Sequence, residues 1–380
     1  MASTVWSYPT RIVFGAGSAA EAGREVKNYV SGRVLLVTDP GVIDAGLTRS
    51  VQASLEAAAI ASTTFSKLSS NPTEAEVDAG VEAYRSSGAE GVVAVGGGAA
   101  MDVAKLIVVR SVVVDKSFEE LDDAIGGDRF IPKVLPPVIA IPTTAGTGSE
   151  IGRAAVLTVA STGAKTVIFA PSMLPKVAIL DPELTLSLPS SATAATGFDA
   201  LTHCLEAYLA KGDHPIADGI ALAGLEIIAR DLPRVVANGR DVEARGGMLK
   251  AAMMGAASFQ KGLGACHSLS HPLSAELDVH HGLANALCLP AVVDFNEQVV
   301  PERVRRIGAI FGASPEPGGC AQALRQLRAS LGMKSGLAAV GVTRDHLPKL
   351  AALAVKDGCH GGNPRPCTEK DFLAMYTASL

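Results

Sequence analysis

The chain has 380 residues, of which 48% are hydrophobic and 19% are charged, and its formal net charge is −5. This composition excludes an intrinsically disordered protein, and the lack of a basic block argues against a nucleic-acid-binding surface. A chain of this length generally forms two domains and buries enough apolar surface to fold without disulfides or a structural metal. We therefore expect any bound metal ion to serve chemistry.

Cysteine usage and the lack of targeting signals indicate the compartment. The six cysteines are scattered with no C-x-x-C pair, as is typical of reduced intracellular proteins. Residues 1–15 contain no cationic segment followed by an apolar core, so no secretory signal is recognised. No apolar run approaches the ~20 residues that span a bilayer. We expect a cytoplasmic protein that binds neither membranes nor nucleic acids.

Short apolar runs alternate with helical patterns in the first half of the chain. The runs predicted as strands are 11–14, 33–39, 62–68, 91–98 and the segment that begins at 136. Helices are predicted at about 48–60, at 73–88 and directly after residue 98. Strands that alternate with helices predict a parallel sheet with both faces covered.

Two glycine-rich segments are candidates for binding a dinucleotide. GAGSAA (15–20) fits the relaxed pattern G-x-G-x-x-A, but it follows a strand of only four residues and such short matches are common. In VVAVGGGAAMDVAK (92–105), a clear strand runs into Gly96, Gly97 and Gly98 and then into a helix. Glycines there let backbone N–H groups approach phosphate oxygens at the positive end of a helix. This segment is the stronger candidate, although a tight strand-to-helix turn would need the same glycines.

Polar residues at strand ends add to this candidate site. Asp102 lies in the first turns of the helix that follows the glycines, with Lys105 near it. Asp39, at the end of a strand, can accept hydrogen bonds from an adenosine ribose and repel a 2′-phosphate, or it can be a turn residue before Pro-Gly. The loop PTTAGTGSE (142–150) offers four hydroxyl groups and two glycines, which suit either a polar ligand or a simple turn.

The second half of the chain reads as helical. Long Ala- and Leu-rich periodic stretches predict helices at 190–212, 215–237, 242–260, 264–277, 283–298, 301–312, 317–331 and 343–356. Few β-branched runs interrupt them, and the tail 358–372 is expected to be irregular. We therefore predict an α/β dinucleotide-binding domain at 1–183 and an all-helical domain at 184–380.

Two segments of the helical half each carry a pair of potential metal ligands one helical turn apart. Asp199 and His203 lie at i and i+4, and so do His267 and His271. Pro272 should end or kink the second helix and turn the chain back.

The histidine pair HH at 280–281 follows this turn, so that His280 or His281 could return to the same site. One carboxylate and three imidazoles suit Fe²⁺ or Zn²⁺. The alternative is a set of core or dimer-interface histidines that hydrogen-bond to backbone.

Together these segments resemble the iron-dependent (group III metal-containing) alcohol dehydrogenases. The resemblance runs over essentially the whole chain, in the order GGGAAMDVAK, IPTTAGTGSE, AILDPELTLSLP, GFDALTHCLEAY, HSLSHPL and HHGLANA. It implies a dinucleotide-binding α/β domain, an all-helical domain and an active site in the cleft between them. It also implies a homodimer that transfers a hydride reversibly between NAD(H) and a primary alcohol or aldehyde, with a divalent metal, Fe²⁺ or alternatively Zn²⁺, as Lewis acid.

The resemblance also assigns roles to individual residues. The metal ligands that it implies are Asp199, His203, His267 and His281. The cofactor contacts that it implies, beside the glycine turn and Asp102, are Asp39, Asn71, Thr143, Thr144, Thr147 and Lys165. His271 would line the active site without ligating and act as the proton relay, with His280 as a neighbour. Asp39 would favour NAD over NADP, because this position carries that choice in the family.

Other readings remain open. Ala99 stands where the family usually has serine, which removes one hydrogen bond at the glycine turn. A maleylacetate reductase-like activity is opposed by the intact ligand set, and a dehydroquinate synthase-like lyase by the scarcity of Lys and Arg near the proposed site. A cofactor-binding regulatory protein is a further alternative. In the tail, His360 or Arg365 could contact an anionic substrate or could belong to a plain surface connection.

Overall fold

The computed structural model describes residues 8, 10–161, 163 and 165–380. Contacts divide the chain into two compact units, of which one comprises Tyr8–Thr144 with Gly148–Ser187 and the other comprises Ala145–Thr147 with Leu188–Leu380. The change of unit after Ser187 lies close to the domain limit of 183 predicted from the sequence, and that limit stays a prediction.

The first unit is an α/β structure. Its strands are β1 (Arg11–Phe14), β2 (Arg33–Val37), β3 (Ala61–Phe65), β4 (Gly91–Gly96), β5 (Val138–Pro142), β6 (Ala154–Thr158), β7 (Lys165–Phe169) and β8 (Val177–Leu180). Its α-helices are α1 (Ala22–Val26), α2 (Pro40–Asp44), α3 (Arg49–Ala57), α4 (Glu74–Ser87) and α5 (Gly98–Val112). A parallel sheet has the order β1-β8-β5-β4-β2-β3, and β6 and β7 form a separate antiparallel pair.

Apolar clusters cover both faces of the parallel sheet. Successive residues of β4 alternate between them, since Val92 and Ala94 belong to one cluster and Val93 and Val95 to the other. Because side chains of a strand point alternately to opposite faces, this division shows that helices cover β4 on both sides. The central strand is therefore held rigidly where it enters the glycine turn.

The carboxyl ends of β2 and β4 form a topological switch point. The chain continues from β2 to the outer strand β3, whereas from β4 it continues to β5 on the other side of the sheet. The two connections diverge and leave a crevice, which is where open α/β sheets bind their ligands. Asp39 follows β2 at this crevice, and Gly97 follows β4.

The second unit is helical. Its α-helices are α6 (Ser190–Leu209), α7 (Pro215–Ala237), α8 (Val242–Ser258), α9 (Ala265–Leu277), α10 (His281–Glu297), α11 (Pro301–Ile310), α12 (Gly319–Ser330), α13 (Leu347–Ala354) and α14 (Glu369–Ser379). Each helix predicted from the sequence in this half has a counterpart here, and the predicted fold class is confirmed. None of the helices in the described part of the chain is both long and apolar enough to cross a membrane.

Two local predictions are wrong. The tail is not irregular throughout, because Thr368 caps helix α14 reciprocally with Asp371 and the helix begins at Glu369. Of the two outcomes predicted for Pro272, an end of the helix is wrong: α9 continues to Leu277 with Pro272 inside it, although proline has no backbone N–H to donate. The chain turns instead at Asp278, whose φ of 52° is left-handed and whose N–H donates to the Leu273 carbonyl. Short polar side chains such as aspartate tolerate this conformation.

Candidate metal centre and cofactor-binding turn

Helix α6 presents three ionisable side chains along one face. Asp199, His203 and Glu206 lie at i, i+4 and i+7, and all three are buried. Gly255 of α8 permits the close packing around them, because a Cβ at that position would lie 2.9 Å from the His203 Cβ. A carboxylate and an imidazole are thus fixed side by side in an apolar interior.

Helices α9 and α10 bring two further imidazoles to this face. His267 lies in the first turn of α9 and is 2% exposed. His281 begins α10, and the next residue, Gly282, has no room for a side chain, because its Cβ would be 2.1 Å from the Ala195 carbonyl oxygen. The close approach of α10 to α6 at this glycine places His281 beside Asp199.

One oxygen of Asp199 is the centre of this cluster. Its Oδ1 atom lies 3.9 Å from Nε2 of His203, 3.9 Å from Nε2 of His267 and 3.3 Å from Nε2 of His281. Ligands at the corners of a tetrahedron about 2.1 Å from an ion are about 3.4 Å apart. The observed separations are close to that value, with small shifts needed to close the site.

Potential ligand atoms of Asp199, His203 and His267 all lie within 4.8 Å of one another. His281 stands at the edge of this group, with its side chain 31% exposed. The structure therefore brings the four predicted metal-ligating residues together, three in the interior and one towards its opening.

The electrostatics of the cluster suit a cation. Burial opposes ionisation of Asp199, but the imidazoles of His203, His281 and His267 outweigh it and hold the pKa of the carboxyl well below its usual range. Burial lowers the pKa of His203 to about 4 and that of His267 to about 3. Both rings are neutral at neutral pH, and only the neutral imidazole can donate a lone pair to a metal.

Two buried nitrogens test whether a metal fits. Nδ1 of His203 and Nε2 of His267 have no hydrogen-bond partner among the residues that the structure describes. A buried polar atom left without a partner costs about 1–3 kcal/mol. Coordination by a cation would remove this cost at His267, whose other nitrogen, Nδ1, lies 2.6 Å from Glu206 Oε2. The donor set of one carboxylate and three imidazoles fits Fe²⁺ or Zn²⁺.

His271 has different partners from the other histidines of the cluster. Its Nδ1 lies 2.7 Å from Asp357 Oδ2, and the other oxygen of Asp357 accepts hydrogen bonds from the Ser268 hydroxyl and the Cys359 N–H. The His271 ring stacks on that of His281 with centroids 5.3 Å apart. His271 thus lies next to the candidate metal ligands and is held by an acid that the sequence analysis missed.

Sequence reasoning also missed two side chains that hold the candidate ligands. Glu206 contacts His267, and Asn285 donates to Asp199 Oδ1 at 2.9 Å while lying 3.2 Å from His281 Nε2. Each lies one turn beyond a predicted ligand on the same helix, Glu206 after His203 and Asn285 after His281. Spacing of i+3 or i+4 from a ligand is the signal that could have found them.

The glycine turn in the α/β unit has the features of a phosphate site. A Cβ at Gly96 would lie 2.7 Å from the Ala100 Cβ, so only glycine fits between β4 and α5. Helix α5 begins without a side-chain cap, which leaves its first N–H groups available to an anion. At Gly97 a Cβ would meet Thr144 at an ordinary 3.5 Å. Close approach of a ligand, not local crowding, is the better reason for glycine there.

Asp39 lies beside this turn at the switch point. Its Oδ1 accepts the Val42 N–H and caps α2, while Oδ2 would be 3.4 Å from a Cβ at Gly96. One carboxylate oxygen is therefore committed to the helix and the other is available beside the turn. This is the geometry expected of an acid that receives ribose hydroxyls.

Two other predicted cofactor residues contact each other. Lys165 Nζ donates to Asn71 Oδ1 at 3.0 Å, which links the start of β7 to the loop before α4. The backbone of that loop is also tied to β6, because the Thr158 N–H donates to the Pro72 carbonyl. The pair is thus held at a defined place beyond the carboxyl end of β3.

The threonine-rich loop after β5 is distributed over both units. Thr143 is buried and its N–H donates to the Gly96 carbonyl, and Thr144 contacts the Gly97 region. Thr147 belongs with the helical unit. Gly146 lies so close to Thr196 of α6 that a Cβ would be 2.9 Å from the Thr196 Cβ.

Asp102 is engaged within the protein. Its two carboxylate oxygens accept the Ser149 hydroxyl at 2.8 Å and the Val156 N–H at 3.1 Å. Burial raises the pKa of this carboxyl and lowers that of the neighbouring Lys105, whose Nζ donates to Ser149, to about 8. Asp102 and Lys105 therefore anchor the end of the threonine-rich loop, and a direct contact of Asp102 with the cofactor stays a prediction.

The weaker glycine-rich candidate, GAGSAA, already binds a carboxylate of the protein itself. The Asp181 carboxylate accepts N–H groups of Gly17 at 3.1 Å and Ala19 at 2.9 Å, so GAGSAA receives a side chain of the chain itself. In the tail, Arg365 donates to Gln298 and the Phe295 carbonyl. These contacts favour structural roles for GAGSAA and Arg365.

The fold and the cluster together define a class of protein: an α/β nucleotide-binding unit joined to a helical unit that can hold a catalytic metal. The family description "Iron-containing alcohol dehydrogenase" matches residues 9–182, and "Fe-containing alcohol dehydrogenase family, C-terminal" matches residues 193–380. The chain belongs to the iron-containing alcohol dehydrogenase family and is an oxidoreductase that acts on alcohols. The predicted family is confirmed.

Characterised relatives match over the full length. The chain is 40% identical over 382 residues to the 4-hydroxybutyrate dehydrogenase of Cupriavidus necator, an alignment that covers 98% of this chain and 99% of that protein. The crystal structure of 1,3-propanediol oxidoreductase superposes with a TM-score of 0.95 at 32% identity, covering 99% and 100% of the two chains. Sulfoacetaldehyde reductase from Bifidobacterium kashiwanohense, solved in complex with NAD⁺, has a TM-score of 0.88 at 32% identity and 99% coverage of each.

Proposed function

We propose that this enzyme transfers a hydride reversibly between a short primary alcohol and NAD⁺, using a divalent metal, Fe²⁺ in the first place, held by Asp199, His203, His267 and His281. The observation that carries this proposal is the convergence of three imidazole nitrogens within 3.9 Å of one buried carboxylate oxygen. A buried polar atom in a purely structural role would have a hydrogen-bond partner, whereas the Nε2 atom of His267 has none in the described chain.

The residues of the site then have separate tasks. When bound, the ion supplies a Lewis acid for the substrate oxygen and NAD⁺ accepts the hydride. His271 takes the alcohol proton: with Nδ1–H donated to Asp357, its Nε2 carries the lone pair that accepts a proton. Asp357 keeps that tautomer in place.

The cofactor half of the proposal depends on the switch point of the sheet. The uncapped start of α5 at Gly97 and Gly98 receives the pyrophosphate, and Asp39 receives the adenosine ribose. Its negative charge disfavours a 2′-phosphate, so NAD⁺ is the expected cofactor. The ratio of kcat/KM for NAD⁺ to that for NADP⁺ measures this preference, and a ratio below one would contradict it.

The substrate class follows from what the relatives' names share. 4-Hydroxybutyrate and 1,3-propanediol are primary alcohols, and sulfoacetaldehyde is an aldehyde that reduces to one. Their far ends differ, being a carboxylate, a hydroxyl and a sulfonate. We expect activity on two- to four-carbon primary alcohols, and a panel that varies only the far end, followed at the NADH absorbance band, identifies the preferred one.

The proposal is tested by His267→Ala against His280→Ala. The first variant should purify without stoichiometric metal and lose turnover, while NADH binding, measured by fluorescence, survives. His280 is exposed and precedes the first residue of α10, so its alanine variant should retain both metal and activity. Full activity of the metal-stripped parent enzyme would overturn the proposal. Homodimerisation and a cytoplasmic location stay predictions, the first of which sedimentation equilibrium decides.

A further inference from the structure

Glu206 contacts His267 and is not one of the four proposed metal ligands. We propose that Glu206 is the positioning residue of the metal centre: it fixes the tautomer and orientation of His267, so that α6 controls three of the four ligands. This inference rests on the proposed function, since it presupposes that His267 binds the metal. Glu206 would act through His267 and not by touching the ion.

The contact between the two side chains is short and buried. Oε2 of Glu206 lies 2.6 Å from Nδ1 of His267, and each side chain is 2% exposed. Charge-assisted N–H···O hydrogen bonds are about 2.7–2.9 Å long, so this contact is slightly shorter than that range. No solvent competes for either group, so the geometry is decided within the protein.

The other oxygen of Glu206 holds the start of the same helix. Oε1 accepts the Cys266 N–H at 2.6 Å, and the Gly264 N–H also donates to the carboxylate. The capping residue of α9 is Gly264, which has no side chain to satisfy these first N–H groups. Its lack of a side chain is required, because a Cβ would be 2.7 Å from Oε1. One carboxylate therefore caps α9 from α6 and binds the histidine in its first turn.

This arrangement determines which nitrogen of His267 faces the cluster. With Nδ1–H donated to Glu206, the proton of the neutral ring is on Nδ1 and the lone pair is on Nε2. Nε2 is the atom directed at Asp199, 3.9 Å away, and it has no partner in the described chain. Carboxylates bound to the far nitrogen of a ligating histidine are the usual means of orienting such a ring.

The spacing along α6 places Glu206 on the same helix face as two of the proposed ligands. Asp199 and His203 ligate directly at i and i+4, and Glu206 at i+7 acts on a third ligand from another helix. Rotation of this single helix face would disturb the whole site. From the sequence, only Asp199 and His203 were predicted as functional residues on this face of α6.

The test measures Zn²⁺ affinity of the complete protein by chelator competition in Glu206→Gln. A carboxamide keeps one acceptor oxygen and turns an NH₂ group towards a donor, so His267 is expected to change tautomer or orientation. We expect the Zn²⁺ dissociation constant to rise about 10–100-fold. Glu276→Gln is the matched control, because Glu276 lies on α9 outside the cluster and contacts Lys349. Its affinity should equal that of the parent.

Combining Glu206→Gln with His267→Ala tests separately whether Glu206 acts through His267 and whether His267 binds the metal. In a His267→Ala background, Glu206→Gln should cause no further loss of affinity. A further loss equal to that in the parent would overturn the inference, as would a lower melting temperature of the metal-free protein with an unchanged dissociation constant. If Glu206→Gln does not fold, Glu206→Asp takes its place. We expect this variant to lose part of the Zn²⁺ affinity, and an affinity equal to that of the parent would contradict the inference. Unchanged affinity in His267→Ala itself would instead reject the proposed metal site.

Discussion

The proposed metal centre and the proposed cofactor site at the glycine turn would recognise their ligands in opposite ways. In the helical unit, four side chains of distinctive chemistry surround a point, and close helix packing at Gly255 and Gly282 brings them together. In the α/β unit, the proposed recognition belongs to backbone N–H groups at Gly97 and Gly98, and the strand order provides the crevice. In the first site side-chain atoms would bind the ligand. In the second, backbone N–H groups would bind it, and they are accessible because glycine has no side chain.

The difference has a consequence for how each site fails. A side-chain site loses a ligand when one atom changes, even if the backbone does not move. A backbone site tolerates changes of side-chain chemistry and fails when a Cβ occupies the space reserved for the ligand. Variants of the two sites should therefore lose metal or cofactor separately.

The largest effect is expected from Asp199→Asn. The amide keeps the shape of the side chain but removes the charge around which three imidazoles converge. Metal content should fall and turnover should drop on the order of 10³-fold or more, because Lewis-acid stabilisation contributes several kcal/mol. The NADH dissociation constant should not change. Loss of NADH binding together with metal would break the separation between the two sites.

A smaller loss is expected from Asp357→Asn. The carboxylate that holds His271 is replaced, so the proton-accepting nitrogen is no longer fixed. We expect kcat to fall about 10–100-fold with metal content unchanged. Asp357→Asn combined with His271→Ala should be no slower than His271→Ala alone, and additive losses would show that Asp357 acts by another route.

The backbone site is tested by Gly96→Val. A side chain there collides with Ala100 at the start of α5, which would displace the N–H groups that we propose to receive the pyrophosphate. The KM for NAD⁺ should rise about tenfold, equivalent to about 1.4 kcal/mol, while metal content stays that of the parent. Gly97→Ala, whose Cβ makes only ordinary contacts within the protein but would occupy space proposed for the ligand, should also raise the KM for NAD⁺. An unchanged KM in Gly97→Ala would show that no ligand approaches this glycine closely.

The smallest effect concerns stability and is confined to the α/β unit. Burial raises the pKa of Glu150 from 4.5 to about 7, so the folded state binds its proton more tightly than the unfolded state does. The stabilisation is complete below pH 4.5 and is lost as the pH rises through about 7. Glu150→Gln should flatten the decline of the unfolding free energy in this window, measured by urea denaturation. An unchanged slope would assign the decline to other groups.

The sequence allowed more of the helical site to be predicted than of its supports. Asp199, His203, His267 and His281 could be named because metal-ligating side chains are few and their helical spacing is regular. Helical spacing could have pointed to Glu206 as a neighbour of His203, but neither its contact with His267 nor that of Asp357 with His271 could be predicted, because the partners lie 61 and 86 residues apart along the chain. Local spacing carries no information about contacts over such separations.

In the α/β unit the sequence left alternatives of a different kind open. GAGSAA and the turn at Gly96 look alike as strings of letters, and both lie at a strand end. Only the tertiary structure shows that Asp181 occupies the first and that the second opens at the switch point. Only the tertiary structure likewise shows that the carboxylate oxygens of Asp102 accept hydrogen bonds from Ser149 and Val156.

By itself, the order of residues determined the alternation of strands and helices, the helical second half and the chemistry available at each motif. These properties depend on periodicity and side-chain type, which are local. Tertiary structure alone decided that the return of the chain to the metal site occurs at Asp278 and not at Pro272. It also decided which acid holds which histidine, because such pairs form only when the packing of separate helices brings them within hydrogen-bonding distance.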